Sequence, residues 1–527
     1  MNVSDYMARY LRSSGIDTIF GYPGDPSVEF LEGCRREEMS FVLARREGTA
    51  GLMAEAYGML TGRPGVALST LGPGSTNLVN AVANATLDRT PMIAISGQID
   101  TKRMPTFTHQ VVNQDALFSP VSKYVATVGA NNVGDVMRKA HRTAIAPRPG
   151  AVHLTTPADV VGAEVVNDAM SVPPVRAVGG PADTAEAVQQ IRAARRPVIL
   201  FGISAMQRDA GAELVALAER IGAAIVAAPM AKGTVSEEHP LFAGTLDMAC
   251  NQIMWDFLDS ADLILCAGFD AVELIKPWSV SPPVIHIDEV PNTDQIYAAG
   301  LELVGDLPLT LAALADTVAD APGWPLADVA AHREALGAAF DDGRVAGVLN
   351  PSDVIRIARG AVAGDAIVTT DVGSHKLLVG QGWRPGGPRR LLMTNGLSSM
   401  GFSLPAAITA KMLNRGTEVV CFTGDGGLAM VQSELALAAS MKLGLKVVVF
   451  LDNSLNRIEL KQMARQYAST GTRIDPIDVG GLAGAMGCDG VEVEDETALG
   501  DALSTRTTDR PLVIGARIDP AQYVAQF

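Results

Sequence analysis

The chain has 527 residues, 48% hydrophobic and 19% charged, with 52 glycines and aromatics at only 5%. That length exceeds one compact core and predicts two to four domains, with the composition of a soluble protein built from closely packed α/β layers. A formal net charge of −16 excludes nucleic acid or an anionic membrane surface as a partner, though not a local basic pocket.

The first 21 residues, MNVSDYMARYLRSSGIDTIFG, read as an amphipathic helix running into a strand. They lack the basic-then-apolar order of a signal peptide, and no apolar run approaches the ~18 residues of a membrane span, so a cytoplasmic protein is expected. Up to about residue 165, short apolar runs (IDTIFG, SFVLA, GVALST, MIAIS, AVHLTT) alternate with helical stretches. That alternation marks parallel β-α-β units. A Pro- and Gly-rich connection, SVPPVRAVGGPADT at 171–184, follows. The alternation resumes with PVILFG, AAIVAA, LILCAG and PVIHID. After an Ala-rich helical connector it returns with AIVTTD, EVVCFTGDGG, KVVVFLDN, GVEVED and PLVIGARI. The fold class predicted is α/β, with three doubly wound parallel-sheet domains over residues 1–170, 183–335 and 345–527. The five cysteines are scattered and form no C-x-x-C pair, which suggests neither a zinc site nor a disulfide framework.

The first and third segments echo one another. VALSTLGPGSTN and VVCFTGDGGLAM each run from a strand ending in Thr through a Gly-rich turn into a helix, with a second strand beyond. Duplicated domains explain this, and so does the grammar common to all parallel α/β units.

Within the third segment, Gly424-Asp425-Gly426-Gly427 follows a strand and opens a helix. Glycines there admit an anion to the backbone, and the helix N-terminus favours phosphate. A carboxylate facing phosphate oxygens is repulsive unless a cation lies between them, so Asp425 implies a hard divalent metal such as Mg²⁺. Asn453 stands at the end of the next strand, 28 residues after Asp425. One strand-helix-strand unit spans that distance and brings both side chains to the same sheet edge. The amide oxygen of Asn453 and the backbone carbonyl of Leu455 complete an oxygen triad. Taken singly, Asp425 is a helix cap and Asn453 a turn residue; the pairing at this spacing favours the metal.

The pair resembles the diphosphate-metal motif of thiamine-diphosphate-dependent enzymes, a GDG followed by an Asn pair, here Asp452-Asn453. The resemblance extends over nearly the whole chain and is to the acetolactate synthase-like branch. Phe20-Gly21-Tyr22-Pro23-Gly24 and Leu71-Gly72-Pro73-Gly74 resemble its first-domain loops. Glu47, in Arg45-Arg46-Glu47-Gly48, stands where the family has its catalytic glutamate, whose carboxylate favours the imino tautomer of the aminopyrimidine ring. Thr370 to His375 resembles the diphosphate-side loop, with Gly373, Ser374 and His375 at the cofactor. Asn395 to Phe402 resembles the pyrimidine-side loop. There Met400 is implied to wedge between the rings and the carbonyl of Ser398 to accept from the amino group. Asp425, Gly426, Gly427 and Asn453 are implied to hold the diphosphate, with Asp425, Asn453 and Leu455 on Mg²⁺. Relatives often carry Gly in place of Ser374 and Ser398. In this family the active site is shared between subunits, so the partner expected is a second copy, as homodimer or homotetramer.

The resemblance implies decarboxylation of a 2-oxo acid to a carbanion/enamine on the cofactor and its addition to a second carbonyl. Simple decarboxylation, an aldehyde lyase with proton quench and an inactive cofactor-binding scaffold remain the alternatives. Gln110 matches the glutamine these enzymes use beside the substrate. His109 replaces a Phe common there, and is open to reading as a proton shuttle or a wall residue. Two departures alter the acceptor pocket. Cys266 to Val272 resembles the family's R-F-D-D-R stretch but has lost both arginines, and Glu459-Leu460-Lys461 stands where relatives place a Trp. Lys461 is a candidate for the missing cation. Phe201-Gly202-Ile203-Ser204 is a Gly-poor turn without G-x-G-x-x-G, which argues against the FAD some relatives hold.

Overall fold

A computed structural model describes residues 1–166, 170, 179–319 and 323–527. Residues 171–178 of the connection read at 171–184 lie outside the described residues. The first sheet contains β1 (Thr18–Gly21), β2 (Ser40–Leu43), β3 (Gly65–Ser69), β4 (Met92–Gln98), β5 (Tyr124–Thr127) and β6 (Ala151–Pro157). Its strands, all parallel, lie in the order β2-β1-β3-β4-β6-β5. The second contains β7 (Pro197–Phe201), β8 (Ala224–Ala227), β9 (Phe242–Thr245), β10 (Leu263–Ala267), β11 (Val284–Asp288) and β12 (Ala299–Val304), ordered β12-β11-β10-β7-β8-β9. The third contains β13 (Ile367–Thr370), β14 (Leu391–Met393), β15 (Val419–Gly424), β16 (Lys446–Leu451), β17 (Asp489–Val493) and β18 (Leu512–Arg517), ordered β14-β13-β15-β16-β18-β17.

Counted from its own first strand, the third sheet repeats the order of the first. The echo in the sequence is therefore a shared topology, which the general grammar of α/β units does not require. The second sheet has the other common doubly wound order, three strands on either side of the β7/β10 junction.

The order reverses between β1 and β3, between β13 and β15, and between β7 and β10. Ligands of open α/β sheets bind at such reversals, outside the carboxyl ends of the strands. The motif loops at 21–24, 71–74, 371–375 and 424–427 all follow these strands.

The domains are not independent bodies. The Glu47–Thr61 helix packs on the Ser403–Leu413 helix, and residues of the first and third domains share one buried apolar cluster. All three domains meet at Asp88-Arg89, just past the Pro73–Leu87 helix. Asp88 Oδ1 accepts from the backbone N–H groups of Asn395 (3.0 Å) and Gly396 (2.6 Å) in the third domain. Arg89 makes a two-pronged bond with the buried Asp270 of the central domain, at 2.9 and 3.0 Å.

Close backbone approach fixes Gly65 at the start of β3. A Cβ there would stand 1.8 Å from the carbonyl oxygen of Ala54, and the obstacle is the backbone of the helix that begins at Glu47. Gly65→Ala is expected to push that helix off the sheet and cost about 2–3 kcal/mol. Thermal unfolding of the purified variant would show it, and an unchanged midpoint would contradict the packing.

Candidate active site

Strand β15 ends at Gly424, and Asp425 opens the short helix Asp425–Val431. Its neighbour β16 runs parallel in the register Gly424↔Phe450, so Asp452 and Asn453 emerge beside Asp425. Asp425 Oδ1 accepts from the N–H of Gly426 and Oδ2 from that of Asn453, both at 2.7 Å. Asn453 is left-handed at φ +54, a conformation Asn tolerates better than most residues. Its own carbonyl accepts from Ile474 N–H at 3.0 Å, which leaves the side-chain amide as its remaining oxygen.

Burial raises the Asp425 carboxyl above its ordinary range, and burial together with Asp425 pushes Asp452 up to about 7. Among the described residues neither forms an ion pair with Lys or Arg. Two carboxylates enclosed side by side without a basic partner fit a site for a cation. The Leu455 carbonyl, read as a third donor, accepts from Ile458 (2.9 Å) and Glu459 (3.1 Å) as the Asn456–Ala464 helix begins. These two bonds engage both lone pairs of the carbonyl, so it would reach a metal only by giving up or sharing one of them.

A cavity of about 170 Å³ lies against this edge, lined by Gly373, Ser374, His375, Met400, Asp425, Gly426, Gly427, Asp452 and Leu455. Three helices begin on its wall: Ser374–Gly382, Asp425–Val431 and Asn456–Ala464. None is capped by the side chain of its N-cap residue, although Asp425 Oδ1 takes the Gly426 N–H, and three positive helix ends favour a polyanion. The glycines keep the wall low: a Cβ at Gly427 would meet Asp371 Oδ2 at 2.6 Å.

Asp371 couples the two loops read as cofactor-binding. Oδ1 faces His375 Nε2 at 3.1 Å, and Oδ2 accepts from Gly401 N–H at 2.6 Å, next to Met400. The His375 ring stacks on Phe450, and Ser374 Oγ donates to Asn456 Oδ1 at 2.8 Å. Met400 reaches over Gly426, its Cε 3.4 Å from where a Cβ would stand. Ser398 is left-handed at φ +61. That is a physical reason for glycine at this position in relatives, since an L-residue there carries strain.

The first-domain residues gather at their own sheet edge. Glu47 is 9% exposed and opens its helix, with Asn77 Nδ2 donating to Oε2 at 3.2 Å. Pro23 lies in the loop after β1. Gln110, left-handed at φ +58, brings its backbone against Gly72, where a Cβ would stand 2.6 Å from its carbonyl oxygen. His109 is exposed and meets Phe107 edge-to-face. None of Pro23, Glu47, His109 and Gln110 lines the Asp425 cavity of the same chain.

Two groups of polar residues escape the sequence reading. Glu434 Oε1 accepts from Arg45 N–H at 2.8 Å and from Thr49 Oγ1 at 2.6 Å, pinning the turn on both sides of Glu47. Asn84 Nδ2 donates to Glu55 and Asp88, while its Oδ1 accepts from Thr394 Oγ1 at 2.8 Å. The sequence signal for the second is Glu55, a carboxylate inside the otherwise apolar helix EGTAGLMAEAYGMLT, whereas Glu434 opens ELALAAS and reads as an ordinary helix-start carboxylate.

At the β7/β10 reversal of the central sheet the corresponding place is taken by the protein itself. Glu273 Oε2 accepts from Ile203 N–H at 2.9 Å, and a Cβ on Gly202 would stand 2.2 Å from that oxygen. A dinucleotide pyrophosphate would need the same donor and the same space, so these residues do not fit a flavin.

The chain is similar to three described domains: the N-terminal TPP binding domain of thiamine pyrophosphate enzymes over residues 1–117, their central domain over 184–314, and their C-terminal TPP binding domain over 371–516. It is 29% identical to an acetolactate synthase of Bacillus subtilis, over 97% of this chain and 92% of that protein. It is 30% identical to the large subunit of acetolactate synthase isozyme 1 of Escherichia coli, over 87% of this chain and 83% of the relative. An acetolactate synthase large subunit of Parasynechococcus marenigrum is 31% identical, over 93% and 83%. With an edge built for a polyanion, the three domains in family order and these relatives, the chain belongs to the thiamine-diphosphate-dependent enzymes of the acetolactate synthase-like family.

Proposed function

We propose that the protein is a Mg²⁺-dependent, decarboxylating carboligase that joins the residue of one 2-oxo acid to the carbonyl of a second. The observation that carries this reading is the meeting of the unpaired Asp425 and Asp452 carboxylates with three uncapped helix N-termini in one cavity. Asp425 and Asn453 would ligate the metal, with the Leu455 carbonyl as a third oxygen. Gly373, Ser374, His375, Gly426 and Gly427 would enclose the diphosphate, and the backbone around Ser398 and Met400 the rings.

When bound, thiamine diphosphate supplies a nucleophilic carbon and a sink for the electrons that decarboxylation leaves behind. The chain's own part is positioning and proton handling. Glu47 is the carboxylate for the pyrimidine ring, held by Asn77 and by the Glu434 clasp on Arg45 and Thr49. Gln110 and His109 would face the substrate. Because Glu47 and Asp425 lie on different edges of one chain, the complete site calls for a second copy, and we infer a homodimer or a dimer of dimers as the working unit.

Flavin has no part in this proposal, since Glu273 fills the place of its pyrophosphate. The purified protein is expected to show no flavin absorbance band, and added FAD is expected to keep the spectrum of free FAD.

Glu47→Ala is expected to lower turnover on a 2-oxo acid by about 10²–10⁴-fold while thiamine diphosphate still protects the fold against heat. Full turnover in this variant would exclude the assigned role. Asp425→Ala is expected to behave differently. It should lose both turnover and the rise in unfolding temperature that cofactor plus Mg²⁺ gives the wild type, because ligand-linked stability requires binding. Equal thermal protection of both proteins would remove Asp425 from the metal site.

A further inference from the structure

Residues 453–455, which include Asn453 and Leu455 of the donor set, form one side of a short antiparallel pair whose other side is 472–474. Ser454 stands opposite Arg473. Leu455 N–H donates to the Thr472 carbonyl at 2.7 Å, and Ile474 N–H to that of Asn453 at 3.0 Å. Opposed residues with no backbone bond of their own carry their side chains on one face and close together. The pair also borders the glycine motif. A Cβ at Gly426 would meet Ile474 Cδ1 and Leu455 Cδ2, each at 3.1 Å.

Glu459 fastens the face that Ser454 and Arg473 share. It is buried in the first turn of the Asn456–Ala464 helix. Its Oε2 accepts from Ser454 Oγ, and its Oε1 from Ser469 Oγ at 2.7 Å and Arg473 Nη2 at 2.5 Å. Its backbone N–H donates to the Leu455 carbonyl at 3.1 Å. One residue thus touches the metal-side turn twice and the segment opposite it once. Gln462 secures the chain between, donating to the Thr470 carbonyl at 3.0 Å and accepting from Thr470 N–H at 3.2 Å. Residues 463–471 are exposed, so these bonds, and not packing, hold that chain in place. Glu459 stands in the stretch where relatives place a Trp, but its side chain is engaged in this joint and not in an acceptor pocket.

We propose that Glu459 is a positioning residue for the metal, holding the turn at 453–455 in the one shape that a Mg²⁺ shell accepts. The inference rests on the reading of Asp425 and Asn453 as metal ligands. Mg²⁺ demands near-ideal octahedral geometry, whereas Ca²⁺ accepts a looser oxygen shell. A turn released from Glu459 still offers the same donors, but they are no longer fixed. Loss of Glu459 therefore costs discrimination between the two ions as well as affinity. Groups that orient metal ligands are worth about 10–100-fold in affinity.

The test follows the unfolding temperature of the protein in excess thiamine diphosphate while Mg²⁺ or Ca²⁺ is titrated, which requires no turnover. In Glu459→Ala the Mg²⁺ concentration giving half of the protection is expected to rise about tenfold, and the Ca²⁺ concentration far less. Glu459→Gln keeps an acceptor for Ser454 and is expected to stay near the wild type. Where Glu459→Ala does not fold, Ser454→Ala removes the same bond from its other end and is expected to show the same selective loss. An unchanged Mg²⁺ midpoint, or Mg²⁺ and Ca²⁺ midpoints raised by equal factors, overturns the assignment. Asp425→Ala is titrated beside them. If it responds to Mg²⁺ as the wild type does, the metal reading fails and the role of Glu459 falls with it. If it alone loses the response, only the role of Glu459 is removed.

Discussion

A buried carboxylate that has no basic partner is the constraint on which the site depends. Asp425 is 3% exposed and has Asp452 beside it. Such a pair is costly unless its charge is met by donors or a cation. Backbone N–H groups meet part of it, and those bonds fix the loop after β15 to the loop after β16. What remains unmet is directed at a cavity surrounded by positive helix ends. The same electrostatic deficit explains why the glycines, the left-handed Asn453 and the uncapped helices occur together.

Around this centre, carboxylates act as fasteners between elements far apart in sequence. Asp371 joins the loop after β13 to the turn carrying Met400. Glu434 joins the third domain to the turn carrying Glu47. The Glu55, Asn84 and Asp88 cluster holds Thr394, Asn395 and Gly396. Burial raises the carboxyls of Glu55, Asp88 and Glu434, so these contacts are directional hydrogen bonds more than ion pairs. The site is spread over loops, but buried side chains tie those loops to one another and to the neighbouring helices.

The sequence made the interior strands legible because both their faces are covered, and they read as continuous apolar runs. Four strands are not announced by such runs: β5, β9, β12 and β14. Every one is a sheet edge. An edge strand has fewer neighbours and tolerates polar residues, as in YVAT and AGLELV, or is too short to register, as in LLM. The meeting of Asp425 with Asn453 at one sheet edge was legible because both lie within one strand-helix-strand unit. Glu434 was not, because its partners lie 389 and 385 residues away, and Asp247 was not, because its Oδ2 holds backbone N–H groups that no side-chain pattern announces.

The central domain shows how one substitution pattern reassigns several residues at once. Its Phe269-Asp270 pair keeps part of the family's stretch, but Ala271 and Val272 have no charge to offer a substrate. Asp270 instead receives Arg89 and, at 3.4 Å, Arg148. Three residues on, Glu273 closes the helix start at the β7/β10 reversal. Both carboxylates are turned inward, so this face of the domain is a strut between domains and not a ligand cradle. A buried pair of this geometry resists removal of either partner far more than it adds to stability over an apolar contact, which ties Asp270 to Arg89 as a unit. The Asp270 segment therefore presents no cation to an anionic ligand. The next cation along the chain, Lys276, lines a cleft beside Gly373 and Ser398, where Asp247 Oδ2 accepts from its backbone N–H.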